Sequence, residues 1–362
     1  MAEYTSLIDE ILDRQSWIDY TENRAQEKTV WRSFFPDMET DELTINVLQD
    51  ADDSHIPEIA HLHSRDAMPE QDHGHEFATS IYNMVNVQKE HTVDLYELEK
   101  LRRNYAGDAL AQKVVELCFN NHGNRLMGMV DARIDLWIAR ALQDGKVETF
   151  ENGVHHAVDY RQPEENRVDW DWSDPTKSNP VRDFLELQEI VDSTSDGYTP
   201  DAAIMPKNLV RLMSRSVALR KNILGVEFEN EMSPLQVIRY FEDQYGIAIY
   251  TADQKYKDWV EVKDGSGNTV SVQKVTTRYL DEDKVIFLPR NELIGHTAFG
   301  PNTLDTGYAG ATGLNVNRSG KIGLMTMWDP IRRKQLIRTE CNFMVTGPYF
   351  NRVGTSTVKT TK

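Results

Sequence analysis

Residues 108–144 constrain the fold of this chain more than any other stretch. Leu110, Val114, Leu117, Met127, Val130, Ile134, Trp137 and Ala141 fall three or four apart within each half of it, a spacing that lines one face of a helix. Asp108 follows a glycine and is placed to accept from the free amides of a first turn, while Gly145 stands where a left-handed C-terminal cap belongs. Unbroken, such a helix approaches about 55 Å at roughly 1.5 Å per residue. A helix of that length acts as a strut with other elements laid across it. Its middle is soft: Asn120, Asn121, Gly123, Asn124 and Gly128 are poor interior helix residues, glycine costing about 1 kcal/mol against alanine. We expect one helix built to bend there, in preference to two helices broken near Gly123.

A chain of 362 residues with 40% hydrophobic content has enough apolar material for two or more folding units. It has no run of eighteen apolar residues, so no transmembrane helix and no membrane partner are expected. The opening MAEYTSLIDEILDRQ is acidic and amphipathic, unlike a secretory signal, which points to a protein made and kept in a cytoplasm or in something assembled there. Two cysteines, Cys118 and Cys341, exclude a disulfide framework. Each lies in a regular pattern and reads as a core residue. A net charge of −18 argues against tight sequence-independent binding of nucleic acid, which needs a clustered basic face.

Taken in order, residues 1–40 read as an arm. Leu7, Ile8, Ile11 and Leu12 form a short amphipathic helix, and Trp31, Phe34 and Phe35 precede the stop at Pro36. Such residues need another surface to lie on, either on this chain or on a neighbouring subunit. Residues 42–48 alternate as a strand. Residues 51–92 are polar and hold His55, His61, His63, His73, His75 and His91. They read as a solvated, protruding β-hairpin loop, and loops this long commonly act outside their own domain. Two of the histidine pairs would share a strand face, but HExxH and zinc-finger spacings are missing.

Residues 93–103 form a short helix leading into the strut. Beyond Gly145, strands at 147–150 and 154–160 turn on Asn152-Gly153, a strong hairpin signal. Residues 162–180 read as a polar connector with two tryptophans. A second unit opens at Asn179-Pro180, a cap followed by proline at the first helical position. It continues through a strand at 202–205, a helix at 206–224, a helix capped by Ser233-Pro234 that ends at Gly246, and a strand at 247–250. A hairpin of 259–262 with 270–275 and a strand at 285–288 follow. This mixture suggests an α+β unit with a mostly antiparallel sheet. The glycine-rich residues 295–323 read as a surface loop, since no helix follows to make a phosphate cradle. Strands then run to the end, and pairing of these with the 147–160 hairpin would make the first unit discontinuous.

No nucleophile elbow, phosphate loop or dinucleotide fingerprint is present, so no catalytic, cofactor or metal residues are assigned. Asp169, Asp171 and Asp174 lack the glycine and distal glutamate of an EF-hand loop and read as cap residues.

Several strings carry a resemblance. WSDPTKSNPVRDF (172–184), DGYTPDAAIMPKNLVRLM (196–213), VIFLPRNELIGHTAFG (285–300) and WDPIRRKQLIRTECNFMVTGPYFNRV (328–353) resemble, in order and spacing, the lambda-type (capsid E) branch of tailed-bacteriophage major capsid proteins. The histidine-dense loop is a departure from that pattern. The resemblance implies an α+β, HK97-like fold: an N-terminal arm at 1–50, an extended loop (E-loop) at 51–92, a peripheral P-domain at 93–165 and 325–362 with spine helix 108–144, and an axial A-domain at 166–324. It also implies a non-enzymatic shell protein, located in the virion and assembled in the bacterial host cytoplasm. Such a protein forms hexamers and pentamers of an icosahedral shell around double-stranded DNA. The arm and loop would lap over neighbours, and the strut would bend as the shell expands. The partners implied are a portal, a decoration protein and a separate scaffolding protein, the chain opening directly with the arm. Packaged DNA would be touched without specificity, an acidic inner face letting it slide. Two rivals share some of these features: an encapsulin-like cargo compartment, and a metal-dependent enzyme built on His61, His63, His73 and His75.

Overall fold

A computed structural model describes residues 29–50, 77–93, 95–151, 153–195, 197–225, 232–263, 269–301, 315–317, 321–329 and 334–360. The amphipathic helix expected near the N-terminus, the histidines from His55 to His75, and the tip of the 259–275 hairpin fall outside them. So do residues 302–314 of the glycine-rich stretch. The chain divides into two compact units, one drawn from Met1–Ile45, Tyr82–Leu136 and His296–Thr346, the other from Asn46–Ile81, Trp137–Gly295 and Gly347–Lys362.

The first unit is built on a six-stranded sheet. Its strands are β1 (Asp37–Glu39), β4 (Val85–Val93), β13 (His296–Phe299), β14 (Asn315–Asn317), β15 (Gly323–Asp329) and β16 (Lys334–Thr346). The thirteen-residue β16 organises it, pairing with β4 over Gln335–Phe343, with β15 over Lys334–Glu340 and with β13 over Phe343–Thr346. Much of the C-terminal run read as strands is thus this one long strand. β4 lies in the stretch read as loop, and β13 in the stretch read as glycine-rich loop. Both are sheet strands, and both lack the clean alternation that marks a half-exposed strand. The hairpin expectation holds one step earlier, where β2 (Thr44–Asp50) pairs with β3 (Phe77–Asn83) in a two-stranded ribbon.

Helix α1 (Leu95–Asn104) leads into the strut, which is continuous: α2 (Asp108–Val115), a π-helical segment (Glu116–Gly123) and α3 (Asn124–Asp144). The N-cap is Gly107, with no side-chain cap bond. Asp108 therefore sits in the first turn and caps nothing. Gly145 closes the other end at φ 62°, where a Cβ would crowd the Arg167 guanidinium and come within 2.6 Å of Gln162 Oε1 and 2.9 Å of its Cβ, so glycine is strongly favoured.

The second unit holds a five-stranded sheet in the order β7 (Arg167–Asp171), β17 (Gly354–Lys359), β12 (Lys284–Leu288), β8 (Ala202–Met205), β9 (Ala248–Thr251). β7–β17 and β8–β9 are parallel, and the two pairings through β12 are antiparallel. The sheet is mixed where a mostly antiparallel one was expected. The C-terminal strand pairs with β7 and β12, whereas β5 (Lys146–Glu151) and β6 (Val154–Asp159) pair only with each other among the described residues. The expected pairing of the C-terminus with that hairpin does not form. The polar connector at 162–180 contains β7, which buries Trp170 and carries the chain to the buried Trp172.

These indoles stack at 5.3 Å and meet Phe184 of α4 (Pro180–Thr194), which packs edge-on against Phe287 of β12 at 4.9 Å. Asn179 accepts from the Arg182 amide, and Ser233 with Gln236 forms a capping box on α7 (Pro234–Tyr245), which ends at the left-handed Gly246. The expected helix at 206–224 is two, α5 (Lys207–Arg215) and α6 (Val217–Leu224). Ser216 is extended and caps the second.

Candidate functional site

The strut is where the chain concentrates unusual chemistry. Its π segment has a geometric reason. Val114 and Val130 are both fully buried but sixteen residues apart, and α-helical advance of about 100° per residue would leave them roughly 160° out of phase. A wider i→i+5 turn advances by roughly 80° per residue and takes back about 160° over the eight residues of this segment. The two apolar faces can then enter one core. Cys118 of that segment is buried with them.

His122, also in the π segment, stacks on His91 of β4 with ring centroids 4.2 Å apart and planes 24° apart. Its Nε2 is buried without a hydrogen-bond partner. Burial lowers the His122 pKa, as do His91 and Arg125, against the pull of Glu97. The enclosed His122 ring therefore favours the neutral form.

One helical turn after Met127, the strut receives the chain's N-terminal side. The Arg32 Nε donates to Asp135 Oδ1 at 2.7 Å, its Nη2 to the Asp131 carbonyl at 3.2 Å, and Thr29 Oγ1 to Asp135 at 3.0 Å. The Arg32 and Asp135 side chains are 7% and 8% exposed. Burial pushes the Asp135 carboxyl upward, opposed by Arg32 and Thr29, yet a bond this short between enclosed groups is a charged pair. Trp31 and Phe35 flank it, fully buried. Of the two surfaces open to these aromatics, this one is on the same chain.

In the second unit α3 is held by different bonds. Trp137 Nε1 donates to Tyr160 Oη at 3.1 Å, Gln143 Nε2 to Asp281 at 2.6 Å, and the Asp281 amide returns to Gln143 at 3.0 Å. The β5–β6 hairpin ends in exposed apolar residues, Phe150 at 74% and Val154 at 61%.

The remaining sequence candidates are placed as follows. Asp171 accepts from the amide and hydroxyl of Ser173, and Asp174 from those of Thr176. These bonds hold both carboxyls below the ordinary range and make them turn caps. Cys341 is buried, which raises its thiol pKa. Among the described residues no group of three His, Cys, Asp or Glu could hold a metal, and no helix is long and apolar enough to cross a membrane. Sequence reasoning missed the Arg32–Asp135 pair, whose partners lie 103 residues apart; no local signal marks it.

A family model described as "Phage major capsid protein E" matches residues 19–336. Among solved structures, a prophage chain from Escherichia coli CFT073 assigned as a capsid protein is similar at 14% identity, TM-score 0.61, over 96% of this chain and 99% of that one. A phage-related protein from Bordetella bronchiseptica RB50 is similar at 12% identity, TM-score 0.54, over 94% and 95%. The capsid of cyanophage P-SCSP1u is similar at 8% identity, TM-score 0.50, over 94% and 90%. No curated protein matches.

Proposed function

Since the chain belongs to the phage major capsid protein E family, we propose that it is the head protein that builds hexamers and pentamers of a closed icosahedral shell around double-stranded DNA. Membership carries the coarser role directly: the protein is a structural subunit of a phage capsid, present in the virion, with an HK97-like fold. The observation that carries the reading is the family match across 19–336 on a chain of that fold. No catalytic residue enters the proposal.

In this reading residues 1–50 are the arm, 51–92 the extended loop, 93–165 with 325–362 the peripheral domain, and 166–324 the axial domain. Strand β17, bonded to β7 and β12, ties the last two segments. The arm and loop lap over neighbours; the Arg32–Asp135 pair supports this by giving the arm a fixed root from which to reach. Assembly takes place in the host cytoplasm with a separate scaffolding protein, a portal and a decoration protein. The DNA meets an acidic wall, and a density map with a basic inner wall would refute that point.

The test is truncation. Removing residues 1–28, or replacing 51–76 by a short turn, is expected to give folded capsomers that do not close into shells by electron microscopy. Normal shells from both truncations would overturn the lapping roles.

A further inference from the structure

Residues 202–226 form the longest stretch of the sequence without Asp or Glu, in a chain that carries 58 of them, and they hold Lys207, Arg211, Arg215, Arg220 and Lys221. On α5 the first three are four residues apart, so they stack along one helix face at about 6 Å per step. All three are exposed, while Leu209, Val210 and Met213 on the other side are buried. Lys221 of α6 is exposed too. Lys207 approaches Asp253 only at 3.8 Å with 65% of its side chain exposed. Arg211 and Lys221 have no ion-pair partner among the described residues.

This inference rests on the shell reading. Copies of a chain with net charge −18 repel one another at close range, within a Debye length of about 10 Å. Association of many copies then requires a local place where a basic surface meets an acidic one. Rings of identical subunits close through two different patches, so the basic and acidic sides can lie on one chain. Nucleic acid fits the stripe less well. A duplex carries a charge about every 1.7 Å along a stiff rod, whereas the α5 stripe spans only about 12 Å. The neighbouring α7, which packs on α5, exposes Glu242 and Asp243.

We propose that the α5–α6 face is an intersubunit contact that receives an acidic surface of a second copy of this chain. The test compares full-length wild type, R211E/K221E, and K100E/K146E, a control with the same charge change at exposed lysines outside the stripe. Assembly is followed by light scattering and electron microscopy, folding by thermal unfolding, and retention of a duplex DNA fragment by gel shift. The stripe variant is expected to unfold as wild type does but to need about tenfold more protein to assemble, while the control assembles normally. Assembly of R211E/K221E at the wild-type concentration would overturn the proposal, as would equal failure of the control. Normal assembly with loss of DNA retention would also overturn it and make nucleic acid the partner. A wild-type chain that never assembles would instead remove the shell reading beneath it.

Discussion

Arg32 and Asp135 form a buried charged pair on the strut, and their burial sets the size of the effect of breaking it. Removing one partner leaves an uncompensated charge in the interior, a loss of about 3–5 kcal/mol. Asp135→Asn should therefore lower the unfolding midpoint sharply, and Arg32→Met with Asp135→Leu should recover most of it; an Asp135→Asn protein as stable as wild type would contradict the pairing. His122 gives a prediction in pH. Its pKa is depressed in the folded state, so the unfolded chain binds the proton more readily. The stability this group contributes is complete above its unfolded value of about 6.5 and drains away as pH falls through the folded one. Thermal unfolding should show a smaller drop between neutral and mildly acidic pH in His122→Gln than in wild type. An equal drop would place the pH dependence elsewhere. Neither pair could be read from sequence. Arg32 with Asp135 and His91 with His122 are joined by the path of the chain, and each residue alone is ordinary.

At the scale of elements, the strut was legible because it repeats, and so were its soft middle and its closure at Gly145. The sequence pattern also held the reason for the π segment, since the apolar spacing was regular only within each half. What was not legible was the sense of the defect. Poor helix formers at 120–128 suggested a bend, whereas the backbone widens at Glu116–Gly123, a change of phase that lets Val114 and Val130 face the same way. Hydrogen exchange should be fastest within 116–123 and slow in the flanking turns; uniform protection along the strut would contradict a locally weak segment. Caps at Asn179, Ser233 and Gly246 were readable because capping chemistry is local. Strands β7, β13 and β17 were misjudged or misplaced because their pairing partners lie far away in sequence, and fully buried strands lose their alternation.

For the whole molecule, order carried more than any motif. The order and spacing of the quoted strings pointed to the family whose model matches residues 19–336. Which strands close which sheet was not visible, because a sheet is settled by competition among distant segments. The mixed five-stranded sheet and the sharing of β16 among β4, β13 and β15 came from the structure alone. The basic stripe of α5 was hidden for a related reason: its charges are scattered in sequence and aligned only by the helix. The central claim is that this chain is a shell subunit. Its most direct test is electron microscopy with light scattering on the purified protein, expressed alone and with its neighbouring genes. Capsomers or closed shells are the expected result; a small, uniform monomer or dimer under every condition would contradict the account.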